Sequence, residues 1–371
     1  MAFVGFSYWL ITDLSGFHRG FLHGQWQFGM FGVDAVLTIH GLFLFLIALY
    51  ALALIPFYLR YPWLHSKAWV FVHGLWFSLL RLRRPPSPAR RRRLAASPWR
   101  LPLKAGLSPA AKQAGLALLL KFFFAPLMIN WCLNHAGDMS GSIVQFIDSV
   151  KAGVSGVMLF DSSLFWACFQ LILFVDTFLF TLGYIVETPA LRNRIRSVDP
   201  TFFGWAICLA CYPPFNDFTS RFLEWQSSDF PQFGSLPLDI SQTAKNWLHV
   251  VANVALLLSL AIYSWASVAL GFKASNLTNR GIVSHGPYSV VRHPAYAAKN
   301  LAWWIGALPG LYLIFSSGNL RHGAYALLAL CGWTAIYALR AITEERHLLM
   351  GGNGYAEYMA RVRWRFIPRV I

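Results

Sequence analysis

The chain has 371 residues, of which 57% are hydrophobic and only 12% are charged, and its mean hydropathy is +0.49. Soluble domains carry about 25% charged residues, so this composition excludes an ordinary soluble enzyme and indicates a polytopic membrane protein. In a soluble protein the formal net charge of +16 would suggest nucleic-acid binding. Basic cytoplasmic loops explain it better here, and we expect no nucleic-acid partner.

Apolar runs long enough to cross about 30 Å of hydrocarbon predict an all-α transmembrane bundle with about seven spans. The predicted spans are 36–59, 113–135, 157–187, 201–218, 247–271, 294–315 and 323–342. The run 201–218 is the weakest, because Pro213 and Pro214 shorten it. Another run, 68–80, covers about half a membrane and is typical of a re-entrant or interfacial helix.

The basic residues predict the orientation of the bundle. When the loop after the first span is placed in the cytoplasm and the spans alternate, 25 of the 31 lysines and arginines lie on that side. By the positive-inside rule, the C-terminus then faces the cytoplasm. The N-terminal residues lack the basic region and the small-residue cleavage site of a secretory signal, so none is predicted.

The densest basic stretch is RLRRPPSPARRRR at 81–93, within a basic cytoplasmic loop at 81–104. Its proline and serine content disfavours a packed structure. Two interpretations stay open: the stretch binds anionic lipid headgroups, or it only anchors the topology of the neighbouring spans.

Charge is costly inside a membrane span, and Lys121, Asp161 and Asp176 fall inside predicted spans, with Asp161 near the outer end of its span. Lys121 lies about 12 Å and Asp176 about 16 Å from the cytoplasmic ends of their spans, at 1.5 Å per residue. These similar depths predict a structural Lys121–Asp176 ion pair, with a proton or ion pathway as the alternative. Cys208 and Cys211 form a C-x-x-C, but no second pair accompanies it, so we predict no metal site.

The stretch GPYSVVRHPAY, 286–296, carries the first half of a candidate ligand site. Pro294 favours the first position of a helix, and it pushes the preceding His293 out of helical geometry. A helix that begins at Pro294 would direct free N–H groups towards an anion, and Arg292 adds a forked cation at the same place. The sequence therefore predicts a carboxylate or phosphate site at the cytoplasmic face.

The second half is EERHLL, 344–349, which the last two spans return to the same face as a hairpin. Adjacent residues of a helix point in different directions, so we expect only Glu344 or Glu345 to face the pocket. Four tyrosines add aromatic walls: Tyr288, Tyr296, Tyr355 and Tyr358. Such a pocket suits a zwitterion with an aromatic base, such as S-adenosylmethionine. Interfacial ion pairs and a tyrosine belt at the membrane surface are the alternative.

The array GPYSVVRHPAY, a hydrophobic hairpin, EERHLL and a GYAEY tail ending in IP resembles the isoprenylcysteine carboxyl methyltransferase family. The related phospholipid methyltransferases share the R-H-P-x-Y and E-E elements. The resemblance covers residues 247–368, so it implies a methyltransferase core at 241–371 behind an N-terminal transmembrane region at 1–240. The family commonly has glycine where this chain has Ala298.

The resemblance implies that S-adenosylmethionine is the cofactor. It assigns cofactor binding to Gly286, Tyr288, Arg292, His293, Pro294, Tyr296, Glu344, Glu345, Tyr355 and Tyr358, with Arg292, Glu344 and Glu345 also at the reacting centre. The methyl acceptor would be a lipidic or amphipathic molecule with a carboxylate, amine or thiol nucleophile. An NADPH-dependent reductase of the sterol reductase type, and a non-catalytic scaffold or transporter, are the alternatives.

Overall fold

The computed structural model describes residues 6, 9–10, 25–30, 33–60, 66–83, 107–188, 190–352 and 354–370, and the fold is 75% helical. Its helices are α1 Ile39–Arg60, α2 Lys67–Arg83, α3 Pro109–Lys151, α4 Gly156–Ile185, α5 Phe202–Leu209, α6 Phe215–Phe222, α7 Gln242–Leu270, α8 Pro294–Ser316, α9 Leu320–Met350 and α10 Tyr355–Arg361. Two antiparallel strand pairs accompany them: β1 Gln25–Met30 with β2 Val33–Thr38, and β3 Ser197–Val198 with β4 Thr278–Asn279.

Four of the described helices, α3, α4, α7 and α9, are long and apolar enough to cross a membrane. Together with the scarcity of strands, they confirm an all-α membrane protein. α3 packs along α4, α4 along α7, and α7 along α8, which in turn contacts α9. Most of the loop 81–104, including nearly all of the basic stretch 81–93, lies outside the described residues.

Helix α3 begins where the sequence supplies a helix start. The Ser108 hydroxyl accepts a hydrogen bond from the amide of Ala111, and Pro109 occupies the first helical position. The helix runs for 43 residues, well past the predicted end of its span at 135. Near its start it packs closely on α2, where a side chain at Gly115 would clash with the ring of Phe71.

The weak predicted span 201–218 is not a single helix in the structure: the segment forms α5 and α6, which have eight residues each. A proline lacks the N–H that helix continuation needs, and Pro213 and Pro214 separate the two helices. The broken segment nevertheless follows α9 over most of its length. Ser197 Oγ lies 2.9 Å from His347 Nε2 at one end, and Tyr325 donates a hydrogen bond to the carbonyl of Phe222 at the other.

The two contacts with α9 lie far enough apart to bear on the topology of the chain. His347 and Tyr325 are 22 residues apart on one helix, which corresponds to about 33 Å at 1.5 Å per residue. The segment between β3 and α6 therefore covers about the thickness of a hydrocarbon core alongside α9. In such surroundings a broken helix is tolerated where protein buries the freed backbone groups or where they line a cavity.

The predicted Lys121–Asp176 ion pair is also wrong. Lys121 pairs instead with Glu187, two residues past the end of α4, at 3.1 Å, and Lys67 of α2 contacts the same carboxylate. Asp176 accepts hydrogen bonds from Tyr263 and Ser267 of α7. Thr181 donates to the carbonyl of Met128 across the same two helices, so Lys121 lies level with the end of α4. Asp176 lies eleven residues before Glu187, about 16 Å away along the helix at 1.5 Å per residue.

The ion pairs of Glu187 with Lys121 and Lys67 predict that the fold is sensitive to acid. Burial disfavours the Glu187 carboxylate, but Lys121 and Lys67 outweigh it and hold its pKa at about 2, below the ordinary value of 4.5. A lowered carboxyl pKa stabilises the fold fully above pH 4.5, and this stabilisation is lost as the pH falls towards 2. We expect the melting temperature in detergent to fall over that range.

Glu187→Gln should reduce this pH dependence and should destabilise the protein at pH 7 by about 1–3 kcal/mol, because it leaves two lysines without a counter-charge. Asp239→Asn, which changes an exposed carboxylate, is the matched control. An acid transition of unchanged size in Glu187→Gln would contradict this assignment.

Candidate functional site

The loop before α8 is fixed by the C-terminal tail. His293 has φ −127° and ψ 60°, outside helical geometry, and Pro294 takes the first helical position, as predicted. The amide of Arg292 donates to the carbonyl of Trp364 at 2.9 Å, and the amide of His293 donates to that of Arg365 at 2.9 Å. The tail therefore pairs with this loop through backbone hydrogen bonds, so the loop enters α8 in one conformation.

Glu345 lies at the centre of a buried ionic cluster. Its carboxylate accepts from Arg292 Nε at 2.8 Å, from His293 Nε2 at 3.1 Å and from Arg365 Nη2 at 2.7 Å. Arg292 Nη1 also donates to the carbonyls of Val362 and Arg363. Arg292 was predicted to bind an anion, and its main anionic partner in the structure is the carboxylate of Glu345. The cluster joins the start of α8, α9 and the tail.

The neighbouring Glu344 points elsewhere. Its Oε2 accepts a hydrogen bond from the Tyr296 hydroxyl at 2.9 Å and lies 3.8 Å from His293 Nδ1. Its side chain is 40% exposed, against 5% for Glu345. Glu344 lines the cavity described below, and Glu345 does not. One glutamate of the pair therefore holds the surrounding segments together, and the other presents its carboxylate to the cavity.

A cavity of about 130 Å³ opens between α7, α8, α9, α10 and the segment that leads from α7 to α8. Seven of the ten residues predicted for cofactor binding line it: Tyr288, Arg292, His293, Tyr296, Glu344, Tyr355 and Tyr358. The other three lie outside the lining. Gly286, with φ +59°, packs against α7, Pro294 is buried at the helix start, and Glu345 lies in the ionic cluster.

The cavity tyrosines outside the helical spans are neutral hydrogen-bonding walls. Burial, helped by nearby Glu344, raises the pKa of Tyr288 well above its ordinary value, and burial likewise raises that of Tyr355. Burial raises the pKa of Tyr358 to about 12. The Tyr358 hydroxyl donates to the carbonyl of Tyr288 at 2.8 Å, which ties α10 to the loop before α8. None of these three phenols is ionised near neutral pH, so none can act there as a phenolate base.

The inner end of the cavity contains residues that the motif analysis missed. Arg340 is buried, with its guanidinium about 5 Å from the ring centres of Tyr296 and Tyr337, at 5.0 and 5.1 Å. It also donates to the side chain of Asn276 at 2.8 Å. Arg340 lies one helical turn before Glu344, so the i, i+4 spacing could have identified it as part of the same wall.

Lys299 is the second missed cation. Its ammonium lies 5.2 Å from the ring centre of Tyr263 and 5.5 Å from that of Trp303, within cation–π range. Tyr263 in turn donates to Asp176, which links the intramembrane carboxylate to this end of the cavity. Lys299 follows Tyr296 by three residues, so both lie on one face of α8. The family's glycine position, Ala298, is buried and does not line the cavity.

The N-terminal region contributes to the same cavity through Phe180 of α4 and Tyr212, which lies between α5 and α6. Tyr212 belongs to CYPPFNDF, so the break in the helix places a side chain at the site. Cys208 and Cys211 are free thiols. Within the described ranges, no group of three or more His, Cys, Asp or Glu side chains could hold a metal ion.

No model of a known protein family matches the chain, and a search of curated proteins finds no match either. The likeness to membrane methyltransferases therefore depends on the motifs and on their placement around one cavity.

Proposed function

We propose that this protein is an integral membrane methyltransferase that uses S-adenosylmethionine to methylate a lipidic or amphipathic acceptor. One observation carries the proposal: R-H-P-x-Y and E-E, about fifty residues apart in the sequence, meet at one cavity wall. Tyr296 of the first motif donates to Glu344 of the second at 2.9 Å. Seven residues that the resemblance assigns to the cofactor line that cavity.

The residues fit a zwitterionic ligand with an aromatic base. Arg292 uses Nε and Nη1 within the protein, and no hydrogen bond engages its Nη2 among the described residues. This nitrogen would bind the carboxylate of the methionine part, and Glu344 would accept from its ammonium or from ribose hydroxyls. The rings of Tyr288, Tyr355 and Tyr358 would contact the adenine.

When bound, S-adenosylmethionine supplies an electrophilic methyl group on a sulfonium. The contribution of this chain is positioning and charge, which is what an in-line displacement requires. A carboxylate acceptor is ionised near pH 7 and needs no base. An amine or thiol would give its proton to Glu344 or His293, which line the cavity, whereas Glu345 is fully engaged by Arg292, His293 and Arg365.

The topology belongs to the same proposal. We count seven crossings: the four long apolar helices, α1, α8 and the broken α5–α6 segment. The excess of basic residues on one side orients the bundle with its C-terminus in the cytoplasm. The cavity mouth then faces the cytoplasm, and its inner end lies at the level of the membrane. An amphipathic acceptor would present its headgroup there while its tail stays in lipid.

Ligand binding tests the function. Full-length protein in an uncharged detergent should bind S-adenosylmethionine and its demethylated product, S-adenosylhomocysteine, in isothermal titration calorimetry. Membranes that contain the protein should transfer a labelled methyl group to a lipid-extractable product, and mass spectrometry would identify the acceptor. Binding of NADPH with no binding of either methionine-derived ligand would favour a reductase and overturn the proposal. Binding of none of the three ligands would also overturn it.

A further inference from the structure

The short β3–β4 ribbon brings two arginines together at one edge of the cavity. Ser197 pairs with Asn279, and the amide of Arg196 donates to the carbonyl of Asn279 at 2.8 Å. Continuing this register by one residue places Arg196 directly opposite Arg280. Like charges at directly opposed positions of an antiparallel pair are destabilising, unless something of opposite charge lies between them.

Arg280 has hydrogen-bonding capacity that the fold leaves unused. It is 3% exposed, and its Nη1 donates to the carbonyl of Asn193 at 2.8 Å. Its Nε and Nη2 are buried with no hydrogen-bond partner among the described residues. A buried donor without a partner costs about 1–3 kcal/mol. Arg280 lines the cavity, so the unused donors belong to a side chain at the cavity wall.

The surroundings of Arg280 carry a local excess of positive charge. Lys273, which also lines the cavity, lies within electrostatic range of Arg196 and Arg192. The acid that interacts with Arg280 is Glu187, but Lys67 and Lys121 already bind that carboxylate. Within the described part of the chain, Arg280 and Lys273 form no ion pair.

Backbone geometry keeps the second guanidinium close. Gly281 has φ +94°, a conformation that glycine adopts without strain. A side chain there would lie 3.2 Å from Arg196 Nη2, so this guanidinium rests against the glycine that follows Arg280. Ser275 and Thr278 also line the cavity, and their hydroxyls are hydrogen-bonded to each other.

We propose that the ribbon binds the phosphate group of a ligand, free or carried by a membrane lipid, between Arg196, Arg280 and Lys273. Forked guanidinium donors suit the several oxygens of a phosphate. The ribbon follows the end of α7, which the proposed topology places at the cytoplasmic interface, where lipid phosphates lie. Arg280 and Lys273 line the same cavity as the proposed cofactor residues, and the interface position rests on the proposed topology, but phosphate binding needs no methyl donor and can be tested separately.

Two arms of one experiment separate the two sources of phosphate. The first measures binding of radiolabelled inorganic phosphate to the full-length protein in an uncharged detergent, by equilibrium dialysis. The second incubates the protein with mixed micelles that contain phosphatidic acid or, as the phosphate-free control, diacylglycerol, and quantifies the lipid that copurifies. Binding in the first arm shows that free phosphate suffices. Binding of phosphatidic acid alone assigns the site to a lipid headgroup.

Arg196→Gln and Arg280→Gln should each weaken binding at least about tenfold, because each removes a charged donor. Arg196 is exposed, so Arg196→Gln should fold. It tests the proposal by itself if Arg280→Gln does not fold. Arg346→Gln makes the same charge change at an exposed site on α9 and should stay within about twofold of the wild type.

Binding in neither arm would overturn the proposal. Equal losses in Arg196→Gln and Arg346→Gln would also do so, since they would indicate diffuse electrostatics. Retention of diacylglycerol at the level of phosphatidic acid would show that the phosphate is not recognised. S-adenosylmethionine affinity should be unchanged in Arg196→Gln, and wild-type protein that binds phosphate but not S-adenosylmethionine would remove the proposed function alone.

Discussion

Replacing Glu345 by alanine should destabilise the protein by about 3–5 kcal/mol, because it leaves the buried Arg292 guanidinium without its counter-charge and the His293 ring without its hydrogen-bond partner. Arg292 and His293 are 8% and 6% exposed, and both bind the Glu345 carboxylate. Arg365 is 34% exposed and can turn to water, so most of the cost falls on the first two. We expect a lower melting temperature in detergent and faster proteolysis of the tail beyond 350.

Glu357→Ala is the matched control for this prediction. It removes the same charge from α10, but Glu357 is exposed and forms no ion pair within the described residues. Its melting temperature should stay close to that of the wild type. A Glu345→Ala protein as stable as Glu357→Ala would contradict a structural role for the cluster and return Glu345 to the candidates for direct contact with a ligand.

The helix that begins at Pro294 shows what local sequence could determine. Proline tolerates the first helical position, and it disfavours helical geometry in the residue before it, and both effects operate within a few atoms. Lys121 shows the opposite case. Its distance from the predicted end of its span could be counted, but its level beside α4 depends on how the two helices pack. The structure puts it beside Glu187, not Asp176.

The candidate site was likewise predictable from the sequence only in part. The two motifs and their return to one face followed from apolar run lengths, because a hairpin of two spans must bring its ends together. Helical spacing predicted that only one of Glu344 and Glu345 would face the cavity, but it did not indicate which one. The ionic cluster that decides the choice includes Arg365 of the tail, whose course no periodicity indicates.

Lys299 and Arg340 were missed for another reason. Both were counted only among the 25 basic residues of the predicted cytoplasmic side, but both lie within helices and line the cavity. The rings that surround them come from α7, α8, α9 and the break between α5 and α6. Such an aromatic enclosure depends on four segments distant in sequence, and only tertiary structure brings them together.

Replacing Glu344 by glutamine should weaken S-adenosylmethionine binding by about 10- to 100-fold while the fold stays intact. Glu344 is 40% exposed, and a glutamine oxygen can still accept from the Tyr296 hydroxyl at the same position. The change removes the carboxylate that would accept from the ligand's ammonium or ribose and leaves the ionic cluster of Glu345 untouched. Titration calorimetry gives the affinity, and a melting temperature near that of the wild type excludes unfolding as the cause.

The same variant distinguishes the two classes of cofactor, because they respond to the lost charge with opposite sign. A dinucleotide phosphate is a polyanion, and removal of a nearby carboxylate should strengthen its binding. A zwitterionic donor loses a partner for its positive end and should bind more weakly. Unchanged S-adenosylmethionine affinity in Glu344→Gln would therefore remove Glu344 from the ligand site. Tighter NADPH binding, with no response to the methionine-derived ligands, would assign the cavity to a reductase.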